Sequence, residues 1–170
     1  MRRATKLIKD YGKQRLWELS VGTLRDMLER GPEPNAITHS AVISACSSSQ
    51  KWAQAVHGFA GMQACGIQPD AIAYSALISA CAAGQHWVQA LRAHSSMRRS
   101  GVLEDTVACN ALLTAFERGH QWSKALCVLA RMQHAGPRPS VLTYNASASA
   151  CSKGRQWFRA LHWLGQMRLR

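Results

Sequence analysis

An all-α solenoid of stacked helix–turn–helix units is the fold that this 170-residue sequence predicts. The first sign is internal repetition. Shifted by 35 residues the sequence falls back onto itself, with tryptophan at 17, 52, 87, 122 and 157 and methionine at 27, 62, 97, 132 and 167. The second sign lies inside one unit. Tyr74, Leu77, Ile78 and Cys81 share one helix face, and after a break at Gly84-Gln85 the residues Trp87, Ala90, Leu91 and Met97 resume helical spacing. The third is that no such hairpin has a sufficient core of its own. It becomes stable by stacking on its neighbours, and roughly three repeats are the usual minimum.

The units follow in order as residues 1–35, 36–70, 71–105, 106–140 and a partial fifth, 141–170. The first diverges most: Trp17, Leu24, Met27 and Gly31 hold the frame, and five of the nine carboxylates fall here, as suits a solvated end cap. Its GPEPN ending closes the second helix, because proline cannot continue one. The second unit opens AITHSAVISAC and ends GIQPD; the third ends GVLED, with Gly101 where a helix C-cap is expected. The fourth opens TVACNALLTAF and ends GPRPS. The fifth opens VLTYNASASAC, and Ser147-Ala148 replace pairs such as Leu77-Ile78, so its first helix is expected to pack more weakly. Trp52, Trp87, Trp122 and Trp157 are expected to be largely buried between hairpins.

Charge narrows the function. There are 21 Lys and Arg against 9 Asp and Glu, a net charge of +12, which favours a polyanionic partner over a merely soluble surface. From Arg92 onward, 12 basic residues face only Glu104, Asp105 and Glu117. The six cysteines form no C-x-x-C pair. Cys46, Cys81 and Cys151 share one frame position with Tyr11 and Phe116, which marks a packing site for reduced thiols rather than a disulfide or zinc site. The histidines show no ligand spacing with them, so neither a metal nor a cofactor is expected. Residues 71–91 carry no formal charge, but their polar residues and hairpin period argue against a membrane span. The basic start, MRRATKLIK, lies within the repeat frame, so a targeting segment is expected to be removed or to lie outside these residues.

The openings AITHS, AIAYS, TVACN and VLTYN resemble the pentatricopeptide repeat family. So do the Ala-Leu pairs at 90–91, 125–126 and 160–161, the recurring methionine and the G-x-x-P-D ending. The tetratricopeptide repeat, with a period of about 34, lacks these marks. The resemblance covers the whole chain. It implies a right-handed α-solenoid of antiparallel helix pairs, the first helix of each lining the concave face.

It also implies binding of single-stranded RNA, one nucleotide per repeat, read by the fifth and last residues while the second clasps the base. The fifth residues are Thr5, Ser40, Ser75, Asn110 and Asn145; the last are Asn35, Asp70, Asp105 and Ser140. At the second position Ile37, Ile72, Val107 and Leu142 are aliphatic and Arg2 departs. Glu104 departs too, standing where the other units have proline. Small polar residues near a helix start also serve as caps, the competing reading of the fifth positions. Lys13, Arg118 and Lys153 share a frame position and are candidate phosphate contacts, or plain surface charges. The implied setting is an organelle, mitochondrion or chloroplast, in RNA processing, stability or translation. The alternative is a structural subunit contacting other proteins of a larger ribonucleoprotein. No H-x-E with C-x-x-C and no carboxylate cluster is present, so no catalysis is expected from these residues.

Overall fold

The structure is a computed structural model, and it describes residues 2–31, 33–156 and 158. Nine helices are described: α1 (Arg2–Lys13), α2 (Trp17–Arg30), α3 (Ala36–Ser48), α4 (Trp52–Ala64), α5 (Ala71–Ala83), α6 (Trp87–Arg99), α7 (Thr106–Arg118), α8 (Trp122–Ala135) and α9 (Val141–Lys153). No strand occurs among the described residues. They pair into hairpins of one right-handed solenoid.

The first helices α1, α3, α5, α7 and α9 pack one against the next as a continuous layer. Each second helix rests on the first helix of its own unit and on that of the following unit, and α6 and α8 also meet through side chains. That arrangement explains why α5 is apolar nearly all round. It buries Ala73, Tyr74, Leu77, Ile78, Ala80, Cys81 and Ala82, because neighbours cover it on several sides. Small residues set the spacing: Ala45, Ala80, Ala115 and Ala150 are almost fully buried, and a Cβ on Gly12 would stand 3.1 Å from that of Ala45. Cys46, Cys81 and Cys151 are buried beside them, as is Cys109, while Cys65 and Cys127 are exposed. Burial pushes the thiols of Cys46, Cys81 and Cys109 up to about 11.

Each hairpin turn is a Schellman motif. In the second unit Lys51 N–H donates to the Cys46 carbonyl (2.9 Å) and Gln50 N–H to that of Ser47 (3.0 Å). Gln50 has φ 59° there, and Arg15, Gln85, His120 and Arg155 adopt the same left-handed conformation. The turns between units are of two kinds. Gly66 and Gly101 take φ 70°, whereas Gly31 and Gly136, each followed by proline in the sequence, are extended.

The tryptophans are mostly covered, as expected, but not sealed: Trp52, Trp87 and Trp122 pack against the core with one edge exposed, and Trp157 lies outside the described residues. Each indole lies over the hairpin turn of the following unit, at the rim of the core. A Cβ on Gly84 would stand 2.6 Å from Trp52 Cδ1; the distances are 2.4 Å for Gly119 on Trp87 and 2.3 Å for Gly154 on Trp122. The rings also meet polar groups: His86 lies tilted against Trp52 at 3.8 Å between centroids, and Lys124 Nζ sits 4.1 Å from the Trp87 ring, which also has Phe116 at 6.4 Å between centroids. The outer edge therefore stays wet. The fifth unit's α9 is fully formed and packs on α7 and α8, with Ser147 buried and donating to the Thr143 carbonyl at 2.9 Å.

Candidate nucleic-acid interface

Four aliphatic side chains that a core would normally claim are left in water along the layer of first helices. Ile37, Ile72, Val107 and Leu142 are 56–69% exposed, one per unit, each at the first turn of its helix. Clefts open between successive members. One of about 370 Å³ is lined by Ile37, Ile72, Ser40, Asp70 and Lys13; one of about 590 Å³ is lined by Val107, Leu142, Asn110 and Asn145.

A polar pair lines the first cleft, and the next unit repeats the pair. Ser40 Oγ lies 3.1 Å from Asp70 Oδ1, and Ser75 Oγ lies 3.2 Å from Asp105 Oδ1, each pair linking positions 30 residues apart. The carboxylates are also helix caps: Asp70 accepts from Ala73 N–H (2.8 Å) and Asp105 from Ala108 N–H (2.7 Å). Both bonds to Asp70 fall on Oδ1, leaving Oδ2 outside them. Asn35 caps α3 through Thr38 N–H at 2.9 Å, and Ser140 forms a capping box with Thr143 on α9.

So the caps are the last residues of the units, not the fifth. The competing cap reading fails for Ser40 and Ser75, which sit a turn inside their helices and hydrogen-bond the Ala36 and Ala71 carbonyls at 2.7 Å. Asn110 and Ser140 do not meet directly; Thr143 Oγ1 stands between them, 2.7 Å from Asn110 Oδ1 and 3.1 Å from Ser140 Oγ. Asn145 is exposed, and the side chains of Thr5 and Arg2 lie outside the description.

The three candidate phosphate contacts separate. Lys13 is exposed and borders the first cleft. Arg118 Nη1 donates to the Ala82 and Ala83 carbonyls (3.2 Å each) at the C-terminus of α5, and Lys153 pairs with Glu117 at 3.0 Å. Both remain exposed, and in this geometry both are engaged. They tie one unit to the next, the first by satisfying open helix carbonyls.

Sequence spacing missed a cluster away from the groove. His94, Glu104 and Cys109 converge, their ligand atoms within 4.8 Å of one another, a trio of metal-binding types among the described residues. Their other neighbours are cations. Arg131 Nη2 lies 3.2 Å from both His94 Nε2 and Glu104 Oε2, and Arg98 Nε lies 3.2 Å from Glu104 Oε1. Guanidinium groups thus use the acceptors that a metal would need. Desolvation chiefly lowers the His94 pKa, Arg131 and Arg98 push the same way, and Glu104 opposes them. His94 Nε2 also lies 3.4 Å from Glu104 Oε1, so it faces a donor in Arg131 and an acceptor in Glu104.

The signal was present as three departures from the 35-residue frame. His94 stands where other units have Leu24, Phe59 and Leu129; Glu104 replaces Pro34, Pro69 and Pro139; and Arg131 replaces Asp26, Gly61 and Ser96.

The sequence pattern of the pentatricopeptide repeat domain matches residues 22–85 and 92–153, and that of the single repeat matches residues 72–102. The chain belongs to the pentatricopeptide repeat family. No curated protein matches it. Among solved structures this pentatricopeptide repeat array is similar to PPR10, a maize pentatricopeptide repeat protein in complex with an 18-nt psaJ RNA element. The TM-score is 0.64 with 28% identity over 97% of this chain, which spans 23% of PPR10. The fold alone is shared with the PPR domain of Arabidopsis thaliana protein-only RNase P 1 in complex with tRNA. There the TM-score is 0.82 and identity 14%, over 96% of this chain and 86% of that one. Nuclear proteinaceous RNase P 2 of A. thaliana gives 0.82 and 13%, over 98% and 38%.

Proposed function

We propose that the array is a sequence-reading module for single-stranded RNA that takes one base per repeat. The pairing of the fifth with the last residue, lining a cleft between two exposed aliphatics, carries this reading. A base sliding between Ile37 and Ile72 would be sandwiched on both faces and would turn its pairing edge toward Ser40 and Asp70. The solved PPR10 complex with RNA and the net charge of +12 support the polyanion partner. The array binds and does not catalyse. We infer that it works in a mitochondrion or chloroplast, alongside RNA-processing or ribosomal proteins, a setting that the family resemblance suggests.

Base preference follows from donor and acceptor chemistry. Guanine offers N–H donors and an ionised Asp only acceptors, so Ser40 with Asp70 and Ser75 with Asp105 each select guanine. Thr5 with Asn35 selects adenine, whose edge mixes a donor with an acceptor as an amide does; resemblance to the family's pattern implies cytosine for Asn110 with Ser140 and a pyrimidine for Asn145, giving A-G-G-C-pyrimidine from 5′ to 3′. Asp70→Asn tests this cleanly, because an amide oxygen still caps Ala73. The mutation is expected to move the second base from guanine toward adenine by about 1–3 kcal/mol and leave the other positions unchanged. Wild type and mutant are compared on the two matched RNAs. Identical rankings would show that the register or the role is wrong, and absence of RNA binding at low salt would favour a structural subunit instead.

A further inference from the structure

We propose that Thr143, the third residue of the fifth repeat, is a specificity-determining residue for the base read by the fourth. The inference rests on the reading of Asn110 given above and adds a residue to it. Thr143 is fully buried, and its hydroxyl is saturated. It accepts from Ser140 N–H at 2.9 Å, lies 3.1 Å from Ser140 Oγ, and donates to Asn110 Oδ1 at 2.7 Å. The last contact fixes the Asn110 amide. With Oδ1 committed to Thr143, the group left for the cleft between Val107 and Leu142 is the Nδ2 donor pair. A donor asks for a base edge rich in acceptors, which cytosine supplies at N3 and O2. The turned-over amide would instead present its oxygen and favour uracil, whose N3–H donates.

The other units make the comparison. Where the fifth and last residues touch directly, as Ser40 with Asp70 and Ser75 with Asp105, the corresponding third-position residues are Ala73 and Ala108. Where the last residue is Asn35 or Ser140, that position holds Thr38 or Thr143. Thr38 Oγ1 also contacts the cap, at 2.9 Å from Asn35 Oδ1. A hydroxyl at this position thus goes with an amide or hydroxyl pair, and its absence with a serine–carboxylate pair.

The test measures binding of the full chain to four RNAs that differ only at the fourth base, for wild type, Thr143→Val, Thr143→Ser and Asn110→Ala. Thr143→Val keeps the shape and removes the donor. It should shrink the preference for cytosine over uracil roughly five- to tenfold, the scale of one neutral hydrogen bond, while the ranking at the second base stays as in wild type. Thr143→Ser should retain the preference. If Thr143→Val weakens all four RNAs equally, or leaves the fourth-base ranking intact while Asn110→Ala erases it, Thr143 is only a cap and the inference is overturned with the reading standing. If Asn110→Ala leaves the fourth-base ranking unchanged, the reading of Asn110 falls and the inference with it.

Discussion

His39 is the least comfortable side chain in the core. It is buried, and neither ring nitrogen has a hydrogen-bond partner. Its counterparts manage better: Tyr74 Oη reaches Ser100 Oγ at 3.1 Å, and Tyr144 Oη accepts from Gln133 Nε2 at 3.2 Å. His39 also borders a cleft of about 210 Å³ lined by Leu24, Leu28, Val42, Gly58 and Gly61. His39→Phe should therefore stabilise the fold by about 1–3 kcal/mol, by removing unsatisfied polar atoms and filling apolar space, readable as a higher Tm. Burial lowers the His39 pKa below 6.5, and that of His94 falls likewise. At mildly acid pH the unfolded chain binds more protons than the folded one. The stabilisation is thus complete above about 6.5 and lost as pH falls through the depressed folded values. Thermal melts on either side of that pH should show the loss in wild type and a smaller loss in His39→Phe. An unchanged difference would mean that His39 is not the titrating group.

Among the elements, the joints between hairpins depend on an indole meeting a hydrogen atom. Gly119→Ala would drive a Cβ to 2.4 Å from Trp87 Cδ1, so overpacking should cost about 1–3 kcal/mol. Gly61→Ala, inside α4 with nothing within 4 Å of the added carbon, should instead stabilise by about 0.5–1 kcal/mol through helix propensity. Denaturant midpoints of the two variants must move in opposite directions. The tryptophan period, the two helical stripes and the GPEPN and GIQPD endings made every described helix legible in the sequence. Periodicity says which residues share a face, but not which neighbour reaches that face first. That is why spacing alone left a capping role open for Ser40 and Ser75. Those serines meet carboxylates 30 residues away, a pairing that only the stacked hairpins create. Arg118 and Lys153 likewise meet partners 35 and 36 residues back, across a joint. The candidate reading positions were legible through the family resemblance; Thr143 was not, since a buried N3 threonine looks like any capping-box residue.

For the whole molecule, the layer of first helices is continuous through the described residues. On the proposed function, the excess of positive charge makes association salt-dependent. With about four phosphates between five bases, log affinity should fall against log salt with a slope of about −3. Filter binding or fluorescence anisotropy across a salt series measures it. A flat response, or equal affinity for a hairpin and an unstructured RNA of the same composition, would contradict an interface that needs unstacked bases.

The cluster of His94, Glu104, Cys109 and Arg131 crosses the boundary at residue 105, two members on each side. Arrays of this kind invite rearrangement, because any hairpin ending in the same frame could be copied or exchanged for another. Here the third and fourth hairpins are not free to part. A third hairpin placed before any unit lacking Arg131 would leave Glu104, now 14% exposed, with Arg98 as its one guanidinium partner, a loss on the scale of a hydrogen bond to a charged group, about 1.5–3 kcal/mol. Lineages or designs that lengthen this array by duplication should therefore inherit those two hairpins as one 70-residue block, while the seam between the second and third remains open to exchange.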